Sequence, residues 1–144
     1  MTAVTWNDAQ QVCESLNSNL TSIHSAAESD FILGQVQSAD TNEFWIGFSD
    51  RANEGSFEWV DGSNVTYTNW IEGQPDDYGS NQDCGIFVLN WNFGWDDDTC
   101  SSHTSRYICR KDINWLTNSA SSLHRRLYLT SNSNVAKQRW GPCS

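Results

Sequence analysis

Ile71-Glu72-Gly73-Gln74-Pro75-Asp76-Asp77-Tyr78-Gly79-Ser80-Asn81-Gln82-Asp83 runs directly into Cys84, and Gly94-Trp95-Asp96-Asp97-Asp98-Thr99-Cys100 lies a short way beyond. The first stretch has neither a helical nor a strand period and is rich in Gly, Asn and Asp. A polar loop of that length inside a compact domain is usually functional or disordered, and the flanking cysteines make disorder less attractive. Gln74, Asp76, Asp77, Gln82, Asp83, Asp96, Asp97 and Asp98 concentrate side-chain oxygens in these loops. A hard cation such as calcium takes about six to eight oxygen ligands, a demand that carboxylates and amides meet and thiols or imidazoles do not. Taken alone, the same residues also make ordinary polar turns.

Composition narrows the reading. A chain of 144 residues fits one domain, and eight Trp with six Phe can build its core. Residues 1–111 carry 17 acidic and 4 basic side chains, a net −13, while residues 112–144 carry a net +3. An acidic domain argues against nucleic acid, whose phosphates call for Lys and Arg. The five cysteines, Cys13, Cys84, Cys100, Cys109 and Cys143, contain no CxxC pair, and the three His do not cluster with them. A zinc site is thereby disfavoured. Two disulfides with one cysteine left over is the better reading, in an oxidising, extracellular or secreted setting. The sequons at Asn19-Leu20-Thr21 and Asn64-Val65-Thr66 are compatible with that setting. No apolar run is long enough for membrane insertion.

Outward from the loops, the chain opens with two predicted helices. Thr5 with Asp8 resembles a capping box ahead of Trp6, Ala9, Cys13 and Leu16, and Ser25 with Glu28 starts a second run through Ala27, Phe31, Ile32 and Val36. Leu20 and Ile23 suggest a short extended piece between them. Aromatic and β-branched runs predict strands at 44–48, 56–60, 65–70, 84–91 and 106–110. Residues 112–144 are Ser- and Asn-rich, basic and without clear strand pattern, although Leu123, Leu127 and Leu129 offer weak packing. They read as a disordered C-terminal extension outside a domain of residues 1–111.

Trp45-Ile46-Gly47, Trp70, Gln74-Pro75-Asp76, Asp83-Cys84, Gly94-Trp95-Asp96-Asp97 and Tyr107-Ile108-Cys109, with Trp6, Ala9, Cys13, Leu20 and Ser22-Ile23 before them, resemble the C-type lectin domain in order and spacing. The resemblance covers about residues 5–111. It implies an α+β fold of two helices and small antiparallel sheets with a long calcium-binding loop region. It also implies disulfides Cys13–Cys109 and Cys84–Cys100, and leaves Cys143 free or intermolecular, a route to an oligomer. The family's opening strand, which pairs with the strand containing Tyr107 and Cys109, has only residues 1–4 as a remnant here, so an N-terminally truncated domain with an open edge is expected.

Carried over by position, the resemblance implies that Gln74, Asp76, Gln82, Asp96 and Asp97 hold the principal Ca2+, with a cis peptide before Pro75 turning Gln74 and Asp76 toward one ion. The family usually has Glu at the place of Gln82 and Asn at the place of Asp96. One change removes a charge and the other adds one, so three carboxylates remain. In the family, vicinal sugar hydroxyls join the ion and bond the same side chains. The sugar-binding set is then Gln74, Asp76, Tyr78 and Asp96. The order of amide before Pro75 and acid after it implies galactose or N-acetylgalactosamine, with Tyr78 placed to stack on the sugar's apolar face or, as a blander role, to sit at the solvent rim. Asp50, Glu54, Asp77 and Asp83 match an auxiliary calcium site of some members, or are four surface acids. Trp45, Trp59, Trp70 and Trp95 read as core, and His24 and His103 as surface or packing residues.

These readings imply a non-enzymatic module whose partners are galactose-type glycans or glycoproteins. The acidic pairs could mimic a two-carboxylate glycosidase, but they fall in a metal-ligand spacing. The competing functions are a calcium-independent protein-binding lectin-like module and an ice-surface binder.

Overall fold

The computed structural model describes residues 2–90, 93–113, 124–131 and 134–137, and the side chains of 2–90 and 93–111. Both helices start where their caps predict. Thr5 Oγ1 accepts the Asp8 N–H ahead of α1 (Trp6–Ser15), and Ser25 Oγ accepts the Glu28 N–H ahead of α2 (Ala26–Val36). The strands are β1 (Asn19–Leu20), β2 (Glu43–Ser49), β3 (Glu58–Trp59), β4 (Cys84–Val88), β5 (Gly94–Asp98), β6 (Arg106–Tyr107), β7 (Cys109–Ile113), β8 (His124–Ser131) and β9 (Asn134–Lys137).

One sheet has the order β3-β2-β4-β5, with β6 joined parallel to β2. The other has the order β1-β7-β8-β9. β2 and β4 are buried almost throughout and carry Trp45, Ile46, Phe48, Ile86 and Phe87 into the core. Phe48 stacks on Trp59 at 4.2 Å between ring centroids and meets Trp95 edge-on at 5.4 Å. Two of the buried indoles find a backbone acceptor: Trp6 Nε1 donates to Ile46 O at 2.8 Å and Trp45 Nε1 to Val4 O at 2.9 Å, whereas the Nε1 groups of Trp59 and Trp95 are buried without one. Cys13 is bonded to Cys109, tying α1 to β7, and Cys84 to Cys100, closing the β4–β5 region. Cys143 lies outside the described residues.

Two strand expectations are corrected, and one strand was not expected. The run at 65–70 forms no strand; it meets β5 only through a single bridge between Trp70 and Trp95. Residues 64–66 are exposed, so their β-branched side chains add little to the core. In 56–60, only Glu58–Trp59 pairs. Conversely, 94–98 is a strand despite three successive Asp, because β4 supplies five consecutive register partners, from Cys84 with Asp98 to Val88 with Gly94.

Beyond residue 111, where the sequence reads as a disordered extension, the described residues include strands. β8 pairs antiparallel with β7, Cys109 opposite Tyr128 through Ile113 opposite His124, and β9 pairs with β8. The physical reason lies in β7, whose side away from β1 offers unpaired N–H and C=O groups; β8 satisfies them. The expected open edge on β7 is therefore covered from the C-terminal side.

Candidate functional site

The long loop is pinned to β5 at its start. Ile71 N–H donates to Trp95 O at 2.9 Å, and Trp95 N–H donates to Asn69 O at 2.7 Å. Gly94 makes this docking close: a Cβ there would lie 2.7 Å from Ile71 Cγ1 and 2.9 Å from Asn69 O. Asn69 also donates through Nδ2 to Phe93 O at 3.0 Å, a second clamp that no motif announced.

Past this anchor the Gln74–Pro75 peptide is cis. Asp97 organises the loop beyond Pro75. It is 1 % exposed, and its two carboxylate oxygens accept the backbone N–H groups of Asp76, at 3.0 Å, and Asp77, at 2.8 Å. Gln82 braces the return of the loop: Nε2 donates to Asp97 O at 2.9 Å while Oε1 accepts the Tyr78 N–H at 2.6 Å. Asp76 Oδ1 also accepts the Tyr78 N–H, at 3.2 Å, and Asp96 Oδ1 accepts the Asp97 N–H at 2.9 Å. Tyr78 itself is 80 % exposed, its ring out at the rim.

The electrostatics are those of crowded acids. Burial, followed by the charges of Asp97, Asp98 and Asp76, pushes the Asp96 carboxyl up to about 6, against the N–H of Asp97, which pulls it down. Burial also raises Asp97, while the N–H groups it accepts pull the other way. Among the described residues no Lys or Arg forms an ion pair with Asp76, Asp96 or Asp97. Gln74 Oε1 is buried with no hydrogen-bond donor. A buried amide oxygen left without a donor is costly, and a cation is one way to satisfy it. The donor set is all oxygen, which suits a hard cation.

A second acidic cluster joins the β2–β3 connection to the residue just before β4. One carboxylate oxygen each from Asp50, Glu54 and Asp83 lie within 4.8 Å of one another. Asp50 is 2 % exposed; its Oδ2 accepts the Gly55 N–H at 2.9 Å, and its Oδ1 is buried without a partner. The Asp50 charge, then desolvation and the charges of Asp77 and Asp83, raise the Glu54 carboxyl. Asp77 stands apart from the three-residue group. With φ at +43°, it turns its Oδ1 to the Gln82 N–H, at 3.0 Å, and reaches the second cluster only through its charge.

The remaining singled-out residues are structural. His24 Nε2 lies 3.1 Å from Ser22 Oγ and 3.2 Å from Ser63 Oγ. His103 lies 3.3 Å from both Asp98 and Glu43 and edge-on to Trp45. Trp45 and Trp95 are fully buried, Trp59 nearly so, and Trp70 packs beside them.

Two helices set against two sheets, with a long irregular segment of acids and amides docked on a strand, define a lectin-like binding domain. The chain belongs to the C-type lectin domain family, whose Lectin C-type domain profile matches residues 2–111. It is 35 % identical over 122 residues to echinoidin of Heliocidaris crassispina, covering 75 % of this chain and 83 % of that protein. To an alpha-N-acetylgalactosamine-specific lectin of Patiria pectinifera it is 36 % identical over 118 residues, covering 76 % and 69 %. Among solved structures, C-type lectin CEL-I from Cucumaria echinata superposes with a TM-score of 0.69 at 37 % identity, covering 75 % of this chain and 83 % of that one. The second and third of these are named as lectins.

Proposed function

We propose that this chain binds carbohydrate through a calcium ion held by Gln74, Asp76, Gln82, Asp96 and Asp97, and that it selects galactose-type sugars outside the cell. The observation that carries the reading is the buried, donorless Gln74 Oε1 beside acids that no Lys or Arg neutralises. Bound there, calcium supplies a hard centre for two neighbouring sugar hydroxyls. Gln74 is a donor through Nε2 and Asp76 an acceptor only, so the pair reads the hydroxyls in one polarity. Gln82 Oε1 shares the Tyr78 N–H with Asp76 Oδ1; if Gln82 Oε1 turned to the ion, that N–H would keep Asp76 as its acceptor. The exposed Tyr78 ring offers the apolar face on which galactose can stack. The specificity named for the Patiria pectinifera relative supports the same choice. We place an auxiliary cation at Asp50, Glu54 and Asp83, with Asp77 contributing charge.

The test is retention of the full chain on galactose and mannose resins with calcium or chelator. Calcium-dependent retention on galactose is the expected result. Retention on mannose alone would refute the specificity. Retention indifferent to chelator, or none on either resin, would favour a calcium-independent protein-binding module.

A further inference from the structure

We propose that Asn64 carries an N-linked glycan and that Asn19, the other sequon, does not. The two triplets are equivalent as sequence and opposite in structure. Asn19 opens β1, where it pairs with Arg110 of β7, and its Oδ1 accepts Gln10 Nε2 at 3.0 Å. Its sequon partners are inaccessible: Leu20 and Thr21 are both 0 % exposed, and Thr21 Oγ1 donates to Ser22 O at 3.1 Å. The Thr21 N–H is likewise committed, to Ile108 O at 2.8 Å. A transferase must hold the Asn amide and the Thr hydroxyl together in an open loop; a glycan added at Asn19 before β7 pairs with β1 would then have to be fitted beside Leu20 and Thr21, both fully buried once the sheet forms.

Asn64, Val65 and Thr66 are all exposed, in a stretch with no secondary structure. The stretch is nonetheless held in place from both sides. Ser63 N–H donates to Asp61 Oδ1 at 2.9 Å, and Thr66 Oγ1 reaches His24 O only at 3.4 Å. Among the described residues the Asn64 carboxamide has no hydrogen-bond partner. The same exposure explains the β-branched residues that form no strand: Val65, 42 % exposed, would be covered by the first sugars of a glycan. The tether at Asp61 and His24 is separate from the Asp97 bonds that shape the ion-facing loop.

The chemistry is an ordinary transfer from a lipid pyrophosphate-linked oligosaccharide. Asn64 Nδ2 forms a bond to the anomeric carbon and gives up a proton. The anomeric C–O bond breaks, and the lipid pyrophosphate leaves with its electron pair. No oxidant or metal redox step enters.

The inference rests on the proposed extracellular setting, and the experiment separates the two. The full chain is translated behind a secretory leader into microsomes that carry the lipid-linked donor, and glycan addition is read as a mobility shift removed by an amidase-type glycosidase. Site mapping uses the Asp that the glycosidase leaves at each occupied Asn. We expect one shift, mapped to residue 64, lost in Asn64→Gln and in Thr66→Ala and kept in Asn19→Gln. A shift mapped to residue 19, or no shift, overturns the assignment. Occupancy in microsomes with an unmodified protein from its natural source would instead count against the extracellular setting. Microsomal occupancy does not require the variants to survive secretion, so a folding defect cannot mask the result.

Discussion

Asp97 Oδ2 accepts the backbone N–H of Asp77 at 2.8 Å, from a strand residue to a loop residue twenty positions earlier. Asp97 is thus a scaffold for the loop before it is a ligand for anything. Its other oxygen holds Asp76, and its backbone carbonyl holds Gln82. One buried acid therefore sets the positions of three loop residues in and beside the proposed ion site.

Asp97→Ala should show both roles. In chelator it leaves the N–H groups of Asp76 and Asp77 without their acceptor, at a cost of about 1–3 kcal/mol, read as a lower urea midpoint. In calcium it should abolish the rise in melting temperature that the parent chain shows, since a ligand that binds only the folded state stabilises it. A variant that keeps the full calcium-dependent rise would remove Asp97 from the ion site.

Gln74→Glu combined with Asp76→Asn exchanges donor and acceptor without changing the charge on the ion. Calcium binding should survive, and preference should move from galactose toward mannose or glucose, whose 4-hydroxyl points the other way. Each mismatched hydrogen bond should cost roughly 1–3 kcal/mol, enough for about tenfold discrimination or more. A glycan array of parent and double variant in calcium decides it; an unchanged profile rejects the polarity argument. Tyr78→Ala should weaken galactose binding and spare calcium.

Protons should compete with calcium at Asp96. Its carboxyl is raised to about 6 in the folded chain, from an ordinary value of 3.8. Between these values the folded form holds more protons than the unfolded one, so this group's contribution to stability in chelator is present below 3.8 and is lost as pH rises through about 6. Calcium needs the ionised form, so its affinity should fall as pH drops through about 6. Calcium titrations from about pH 8 to about pH 5 test this, and Asp96→Asn should flatten the dependence. A parent affinity constant across that range would exclude Asp96 as a ligand.

Glu54→Gln should relieve the repulsion from Asp50, Asp77 and Asp83 that raises the Glu54 carboxyl. With chelator present the variant should be as stable as the parent or slightly more so. Calorimetry in calcium should lose one of two binding events while galactose retention remains. A single event in the parent chain would dismiss the auxiliary site.

Much of the fold was written in local chemistry. Thr5 with Asp8 and Ser25 with Glu28 specify helix starts because a cap bonds within its own first turn. The order of Gln74-Pro75-Asp76, Asp83-Cys84 and Gly94-Trp95-Asp96-Asp97 was enough for the family, because side-chain identity at fixed spacing needs no knowledge of distant contacts. The oxygen-rich loops were legible for the same reason.

Partnership in space was not legible. Gly94 to Asp98 forms a strand against its own propensity because β4 offers a ladder, whereas 65–70, with better propensity, meets β5 only at the Trp70–Trp95 bridge and stays irregular. The tail after residue 111 lacked a strand pattern, yet β8 lies along β7, because an unpaired backbone edge accepts a partner whatever side chains it brings. Two sequons of equal standing became one buried and one exposed. By itself the sequence determined which side chains are available and where helices begin. The tertiary structure decided which of those groups meet, since strand pairing, burial and the convergence of Asp97 on Asp76 and Asp77 depend on contacts between residues far apart in the chain.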